Sequence, residues 1–439
     1  MSRTKNEQLG LTANRPKLNL AGTITNPTLL LRMRQIALFA AILISGGLLN
    51  IPREPLLLLV LLLAFALKNP LRMFRPEFVL IWLLLLMVGA TVLIGGESFQ
   101  LGPLAIRYAN FLAGLALLSV YIDETRTTLV NDLYPILKLM AFQAILTPIA
   151  VIVAGGLFTT FEVYDATYHT LFYVFTYHEL METGSIFKRP DGFFFEPGVF
   201  QIYLNIFLFI CLFVRKHSWF DIGLASLAVI ATQSTTGAII LVLQFGLAYL
   251  YWLKTADRRQ KLSVFVFVPI LLLPLTAYMA LNVTEKFYGA LSGSAEAREY
   301  DLRTGLNVAM EKPLTGIGFD YQNYFDASER VGYREADLSR DNITERGNTN
   351  GIVVLLYSVG IPLSLIFLLG LVFQRMFRPR FLFAALLLLS LIAESLFFTP
   401  IVLMVTFSGL LIQPRRVTGW VSRSGKSSKS GSRQRPQRA

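Results

Sequence analysis

The sequence has little charge and almost no cysteine. Asp, Glu, Lys and Arg make up 15% of its 439 residues, whereas soluble proteins carry about 25%. The single cysteine, Cys211, excludes a disulfide framework and a metal site made of several thiolates. The three histidines, His169, His178 and His217, lack the spacing of metal ligands. Long runs of Leu, Ile, Val and Phe are abundant instead, which indicates a polytopic membrane protein.

Twelve apolar segments are candidates for membrane-spanning helices, which need about 20 mostly apolar residues. We therefore predict an all-α polytopic fold with about 12 spans, or about 10 to 12 because the first, second and seventh segments are short. A single transmembrane domain (35–413) would follow a basic arm (1–34) and precede a disordered basic tail (414–439). The predicted spans are 35–51, 54–67, 77–95, 103–122, 134–156, 197–214, 218–233, 237–253, 262–282, 350–374, 380–397 and 399–413.

The net charge of +12 could serve nucleic-acid binding, but the positions of the cations favour an orientation signal. If the N-terminus lies in the cytoplasm, every short basic cluster between spans falls on the cytoplasmic side. Membrane proteins show this bias toward positive charge inside. We therefore expect both termini in the cytoplasm and the lipid bilayer, not nucleic acid, as the surrounding partner.

Two connections are long, at about 157–196 and 283–349, and both fall on the non-cytoplasmic side. Long irregular loops in compact proteins are usually functional or disordered. The first loop is rich in Phe and Tyr, which favours a helix lying in the membrane interface. Direct stacking of these rings on sugars is the less favoured alternative.

The first loop ends in KRPDGFFFEPGVFQIYL, residues 188–204. Pro197 suits the first residue of a helix, so Glu196 would stand at the helix N-terminus, where negative charge is favoured. Two roles for Glu196 stay open: a helix cap, or a general base at the mouth of a membrane cavity. Arg189 lies where cations are otherwise sparse, which favours a specific anionic partner over contact with lipid headgroups.

Further candidates lie in the second loop and within the spans. Arg298 and Arg303 fall on a predicted helix, and arginine suits bidentate contact with phosphate oxygens. Arg107 and Glu394 lie near the non-cytoplasmic ends of their spans. Ionisable residues within spans are functional candidates, with internal pairing as the alternative. Neither loop contains a D-x-D pair, which argues against a divalent metal held by carboxylates.

Three short motifs lie in order along the second half of the chain. They read R-x-x-G-x-F-x-E-P-G, then R-x14-P-L-x-G-x-G, then an Asn that opens a span with a Gly ten residues on. Their residues are Arg189, Gly192, Phe194, Glu196, Pro197, Gly198, Arg298, Pro313, Gly316, Gly318, Asn350 and Gly360. Over roughly residues 185–410, the chain resembles the O-antigen polymerase and ligase superfamily of bacterial inner-membrane glycosyltransferases.

This resemblance implies an undecaprenyl-pyrophosphate-linked oligosaccharide as donor and glycosidic bond formation on the periplasmic face. Arg189 and Arg298 would hold the pyrophosphate, with Arg303 assisting. Fixed guanidinium groups would stabilise the leaving group without a metal or other cofactor, and Glu196 is the candidate base. The expected substrate-binding set is completed by Asn350, Arg107 and Glu394. Other polysaccharide-assembly proteins are the further expected partners.

One departure separates the branches of the superfamily. The ligases resemble His-Asn-x9-Gly at the start of the span after the second loop, whereas this chain has Thr349 before Asn350. The sequence therefore favours a Wzy-type polymerase of O-antigen, capsule or exopolysaccharide over a ligase that transfers the polymer to lipid A core. A transporter of lipid-linked glycans ranks last, because it predicts broken helices and internal repeats, and the sequence indicates neither.

Overall fold

A computed structural model describes most of the chain, namely residues 26–47, 52–96, 100–124, 126–163, 166–178, 188–215, 218–255, 277, 284, 293–331 and 348–412. In this part of the chain the fold is a helical bundle with 14 α-helices and one small sheet. The helices are α1 (Pro27–Leu43), α2 (Arg53–Leu67), α3 (Val79–Gly95), α4 (Leu101–Tyr121), α5 (Arg126–Ala154), α6 (Pro197–Phe209), α7 (Trp219–Ala231), α8 (Thr235–Thr255), α9 (Gly293–Glu311), α10 (Tyr321–Arg330), α11 (Gly351–Val359), α12 (Ile361–Val372), α13 (Arg380–Ala393) and α14 (Pro400–Leu410).

The first helix begins at Pro27, inside the segment predicted as a basic arm. The side chain of Asn26 accepts hydrogen bonds from the backbone N–H groups of Thr28 and Leu29, and proline is favoured at the first helical position. Arg34 therefore lies within α1, where its Nε is 2.6 Å from a carboxylate oxygen of Asp132 on α5.

Five helical segments are long and apolar enough to cross a membrane: Pro76–Gly95, Leu101–Tyr121, Thr127–Leu157, Pro197–Val214 and Thr235–Lys254. Shorter apolar helices accompany them, at Trp219–Ala231, Ile361–Val372, Arg380–Ala393 and Pro400–Leu410. The chain is thus a polytopic membrane protein. The predicted ninth span, 262–282, lies outside the described residues apart from residue 277, so the count of twelve stays a prediction.

The predicted tenth span, 350–374, is divided into two helices. α11 ends at Val359 and α12 begins at Ile361. Gly360 lies between them with φ 80°, a conformation that glycine adopts without the strain other residues incur. One of the broken helices that the transporter alternative predicts is therefore present.

The first long loop contains a β-sheet, so the chain is mostly helical rather than all-α. The prediction of an interfacial helix in this loop is wrong. Strands β1 (Thr159–Val163), β2 (Ala166–Leu171) and β3 (Phe175–His178) form a three-stranded antiparallel meander in sequence order.

Burial along β2 alternates with a period of two, as expected for a strand with one buried face. Tyr168 and Thr170 are buried, whereas Thr167 is exposed and His169 is only half-buried. Successive strand residues point to opposite faces, so this alternation buries one face of the sheet. Aromatic residues and threonine also favour strands over helices.

One end of the bundle is held by ion pairs between helices and their connections, and we call it the basic end. Its cations belong to the clusters that the sequence predicts to be cytoplasmic. The pairs are Arg34–Asp132 (2.6 Å), Lys68–Glu124 (3.1 Å), Arg72–Asp123 (2.6 Å), Arg75–Asp123 (3.5 Å) and Lys138–Asp221 (2.8 Å).

A cluster of phenylalanine rings joins α4, α12, α14 and the second loop. Phe111 is fully buried, and its ring centroid lies 5.9 to 6.5 Å from those of Phe319, Phe367, Phe398 and Phe407. Burial of such rings dominates core energetics. The cluster thereby fixes the second loop against the helices below it.

Candidate functional site

The opposite end of the bundle carries both long loops, and we call it the loop face. It consists of the described residues of 155–196 and 293–350, the turn 232–234 and residues 394–399. All of the candidate residues predicted from the sequence lie on these segments or on helices that contact them.

The segment 189–195, which contains most of the first motif, is docked between the sheet and the end of α1. The N–H of Asp191 donates to the carbonyl of Thr176 at 2.9 Å, and the N–H of Phe195 donates to that of Gly46 at 3.0 Å. Gly192 has φ 66°, and a Cβ there would overlap the Phe200 ring. The turn therefore requires glycine.

Arg189 reaches from this segment to the turn between α7 and α8. Its Nε donates to the backbone carbonyl of Thr232 at 3.2 Å, and its side chain is half-buried. Gln233, the next residue of the turn, has φ 51°. These contacts fix the guanidinium group on the loop face, and its role toward a substrate stays a prediction.

Glu196 holds the N-cap position of α6, but its side chain makes no capping hydrogen bond and is exposed. The buried carboxylate beside this helix start belongs to Glu394, which is 5% exposed. A Cβ at Gly198 would overlap Oε1 of Glu394. The helix dipole favours negative charge near the N-terminus. The carboxylate of Glu394, not that of Glu196, therefore lies where the capping alternative expected a negative charge.

Glu394 also connects the first motif to the third. Its backbone oxygen lies against Gly351, where a Cβ would be only 2.6 Å away. Just before Gly351, the Asn350 side chain accepts hydrogen bonds from the N–H groups of Ile352 and Val353, each at 3.1 Å. Asn350, predicted to bind substrate, therefore uses its amide oxygen to cap α11.

The second motif fills the break between α11 and α12. Three backbone hydrogen bonds cross the break and satisfy carbonyl and N–H groups that helix ends leave open. They run from Ile317 N–H to Tyr357 O (2.7 Å), from Gly318 N–H to Ser358 O (3.1 Å) and from Ile361 N–H to Pro313 O (2.7 Å).

Glycine is required where this segment meets the helix break. Gly316 has φ 69°, and a Cβ there would lie 2.6 Å from the carbonyl oxygen of Tyr357. On the other side, a Cβ at Gly360 would lie 2.5 Å from the carbonyl oxygen of Leu314. The spacing of the second and third motifs thus reflects one close backbone contact.

Asp301 ties α9 to the start of α11. It is 2% exposed, and its carboxylate accepts hydrogen bonds from the Thr349 N–H at 3.0 Å and from the Thr349 hydroxyl. The side chain of Asn348 donates to the Tyr324 hydroxyl at 3.1 Å. The position at which the sequence departs from the ligase pattern therefore holds a hydroxyl bonded to a buried carboxylate.

The two arginines of the second loop have different surroundings on α9. Arg298 is half-buried, whereas Arg303 is exposed and pairs with Glu299 one turn away. Exposed pairs of this kind contribute little to stability. Arg189 contacts the α7–α8 turn and Arg298 lies on α9, so the two arginines are carried by different segments of the loop face.

Arg107, on α4, lies against aromatic rings of the loop face. Its guanidinium carbon is 5.2 Å from the ring centroid of Phe398 and 5.9 Å from that of Phe319, which places it in cation–π range. Its electrostatic neighbours are Tyr357 and Arg53. Among the described residues, this arginine is thus surrounded by rings and a second cation rather than by a carboxylate.

Sequence reasoning missed a histidine–aspartate pair beside Arg189. Nδ1 of His178 lies 2.9 and 3.0 Å from the two carboxylate oxygens of Asp191, which is fully buried. Burial raises the pKa of Asp191 to about 6, although His178 and Arg189 oppose that rise. The two residues are 13 apart in sequence, and only the docking of the segment on β3 brings them together.

A narrow apolar cavity of about 20 Å³ lies between α1, α5, α6, α13 and α14. Its walls include Ile42, Leu133 and Tyr203, together with Leu391 and Leu396 on either side of Glu394. Within the described ranges, no cluster of three or more His, Cys, Asp or Glu side chains could hold a metal ion.

Residues 222–368 match a family model described as O-antigen ligase. This segment is thus similar to the O-antigen polymerase and ligase superfamily. This match confirms the resemblance read from the motifs, and members of the superfamily are membrane glycosyltransferase-like enzymes. The matched segment contains Arg298, Arg303 and Asn350, while Arg189, Glu196, Arg107 and Glu394 lie outside it. No curated protein and no solved structure matches this chain.

Proposed function

We propose that this protein is a Wzy-type polymerase, which joins undecaprenyl-pyrophosphate-linked oligosaccharide repeat units into a surface polysaccharide. Transfer would take place on the periplasmic face of the bacterial inner membrane, where the orientation predicted from the basic clusters puts the loop face. The family match supports a lipid-linked glycan as substrate, and the polymerase activity is the finer proposal made here.

The observation that carries the choice of polymerase is the environment of Thr349. The ligase pattern has a histidine at this position, where a ring nitrogen could take a proton. Here the Thr349 hydroxyl donates to Asp301, which is 2% exposed. A hydroxyl engaged in this way holds α9 to α11 and is a poor proton acceptor, since its normal role toward a carboxylate is to donate.

The leaving group explains why arginines suffice for the proposed transfer. Breaking the bond between the anomeric carbon and the pyrophosphate leaves negative charge on phosphate oxygens. Guanidinium groups fixed in a site that excludes water stabilise such charge strongly. We assign this role to Arg189, Arg298 and Arg107, with Arg303 assisting, and propose that the reaction needs no metal ion.

The lipid part of the substrate has apolar side chains to contact beside the loop face. The narrow apolar cavity is lined by Leu, Ile, Val, Met and Phe side chains and by Tyr203, and Leu391 and Leu396 bring its wall to the loop face. The cavity is too small to enclose a polyprenyl chain, so we assign to this wall only contact with the first part of the lipid, which would leave the pyrophosphate near the start of α6. Glu196, the carboxylate predicted as base, stands at that helix start.

The ligase is the second candidate, because the matching family model is described as O-antigen ligase. It predicts that a strain lacking this protein still elongates its polymer but leaves it detached from lipid A core. Electrophoresis of lipopolysaccharide from the deletion strain separates the two: long polymer without core attachment favours the ligase, and single repeat units favour the polymerase. The transporter is less favoured, since the break at Gly360 is closed by the second motif.

The direct test uses the purified full-length protein and lipid-linked repeat units extracted from cells that lack it. We expect elongation with and without a divalent-metal chelator. Arg189→Ala and Arg298→Ala should each reduce the rate on the order of 100-fold or more, as removal of one transition-state donor does. Arg330→Ala is the matched control, because Arg330 is exposed in the same loop and pairs with Glu311. Normal elongation by both alanine variants, or a strict need for a divalent ion, contradicts the proposal.

A further inference from the structure

We propose that His178 is the general base of the transfer reaction and that Asp191 is its positioning residue. This inference rests on the proposed function and deepens it. It gives the proton transfer to a histidine of the first loop instead of Glu196, the carboxylate predicted from the sequence.

The geometry is that of a base held by a buried carboxylate. Nδ1 of His178 contacts both oxygens of Asp191, so that the other ring nitrogen, Nε2, is the one not engaged by Asp191. The fixed Asp191 backbone also receives the N–H of Phe194 at 3.1 Å. A base oriented by a third group is the recurring arrangement in enzymes that deprotonate a hydroxyl.

The ring of His178 is restrained by the sheet as well. Its centroid lies 5.4 Å from that of Tyr168 on β2, and the hydroxyl of Tyr168 donates to the carbonyl of Phe195 at 3.0 Å. The side chain of His178 retains 13% exposure whereas that of Asp191 has none. The histidine therefore borders solvent while its carboxylate partner is sealed behind it.

Asp191 lies in the segment that also carries Arg189, and His178 lies on β3, on which this segment is docked. Only Pro190 separates Arg189 from Asp191 in the docked turn, and the charges of Arg189 and Glu196 both act on His178. The positioning residue of the proposed base and the arginine proposed to bind phosphate thus share one docked segment. Purely structural buried ion pairs are easily replaced by apolar contacts, and titratable pairs in such positions are frequent at active sites.

The step balances without a further reactant. The acceptor hydroxyl of one repeat unit gives its proton to Nε2 of His178, and its oxygen forms a bond to the anomeric carbon of the donor. The bond between that carbon and the pyrophosphate oxygen breaks, and its electron pair leaves on undecaprenyl pyrophosphate. The arginines of the loop face stabilise the charge that develops there.

The pair also fixes the expected pH dependence. Burial lowers the pKa of His178, but the hydrogen bond and the charge of Asp191 outweigh it, so that the pKa rises above the usual 6.5. The other titratable or charged groups around the ring are Arg189, which lowers this pKa, Glu196, which raises it, and Tyr168. Because a base works unprotonated, elongation should increase as the pH rises through a value above 6.5.

The test measures initial elongation rates of the purified full-length protein between about pH 5.5 and pH 9, with extracted lipid-linked repeat units. We expect His178→Gln to reduce the rate on the order of 100-fold or more and to abolish the increase with pH. Asp191→Asn should move that increase to lower pH, because it removes the charge that raises the pKa of His178. The affinity for undecaprenyl pyrophosphate should stay within about threefold in both variants, as neither group is assigned to bind it.

Two further variants separate a chemical role from a structural one. Glu196→Gln should keep the increase with pH, and loss of the increase in that variant would return the role of base to Glu196. In His178→Ala, added imidazole should restore part of the rate, which a missing structural contact would not allow. His178→Gln with a wild-type rate and pH profile, or His178→Ala without rescue, overturns the inference while wild-type elongation keeps the proposed function. A wild-type protein that elongates nothing overturns the proposed function itself.

Discussion

The two ends of the bundle use positive charge in different ways. At the basic end, arginines and lysines contact carboxylates on neighbouring helices or connections, as in Arg34–Asp132 and Lys138–Asp221. At the loop face, exposed arginines of the second loop also pair with carboxylates, but the half-buried Arg107 contacts aromatic rings and the half-buried Arg189 a backbone carbonyl. Ion pairs at the basic end therefore hold helices together. Among the described residues no carboxylate neutralises Arg107, so its positive charge could attract an anion. This contrast supports the proposal that the loop face is the end that binds an anionic substrate.

The largest effect should come from Arg107. Arg107→Ala removes a cation whose electrostatic neighbours are Tyr357 and Arg53. The substitution should therefore weaken the interaction with the negative charge of the substrate and should not leave a protein carboxylate without its partner. We expect elongation to slow on the order of 100-fold or more, with little change in thermal stability, measured side by side on purified protein. Arg72→Ala, at the basic end, is the matched control and should elongate normally. Equal activity of the two variants would remove the contrast between the ends.

Asp132 should show the opposite behaviour. Its carboxylate accepts from Arg34 Nε at 2.6 Å and from the Tyr121 hydroxyl at 2.9 Å. Asp132→Ala leaves a largely buried arginine and a buried hydroxyl without their acceptor, which costs about 3 kcal/mol. We expect a clear fall in the melting temperature of the detergent-solubilised protein, with an unchanged rate per folded molecule. A loss of rate without loss of stability would show that the basic end also takes part in the reaction.

Much of this contrast was visible in the sequence. Apolar length predicted most helices, because crossing a membrane constrains each segment by itself. The basic clusters predicted that cations gather on one side of the bundle, but not that they form ion pairs there, nor which carboxylates contact Arg34 or Lys138. The sheet was missed because aromatic content was given more weight than the alternation around Tyr168 and Thr170.

The candidate site was predicted only as far as its motifs. The glycines at 316 and 360 were recognised as a pattern, but their reason is a close approach of two distant backbone segments, which no local propensity encodes. Glu394 was identified by its charge within a span, and its contact with Gly198 follows only from packing. His178 and Asp191 carry no signal in sequence, because they meet through strand docking.

Gly316 tests whether the loop face depends on its backbone as the basic end depends on its charges. Gly316→Ala puts a Cβ 2.6 Å from the carbonyl oxygen of Tyr357 at a positive φ. We expect a loss of about 2 kcal/mol in stability, from the left-handed backbone conformation and the overlap together. Gly156→Ala is the control, since a Cβ there meets nothing within 4 Å. Equal melting temperatures for the two variants would mean that the second motif does not pack into the helix break.

The smallest effect should come from Arg75, whose guanidinium lies 3.5 Å from Asp123 with both side chains about 40% exposed. Exposed pairs contribute about 0 to 1 kcal/mol and are screened by salt, and Asp123 keeps the closer Arg72 as partner. Arg75→Ala should therefore lower the free energy of unfolding by less than about 0.5 kcal/mol, and by less still in high salt. Comparing this variant with Asp132→Ala at two salt concentrations separates screened from buried charge. If Arg75→Ala destabilised the protein as much as Asp132→Ala, burial would not decide how strongly an ion pair holds the basic end.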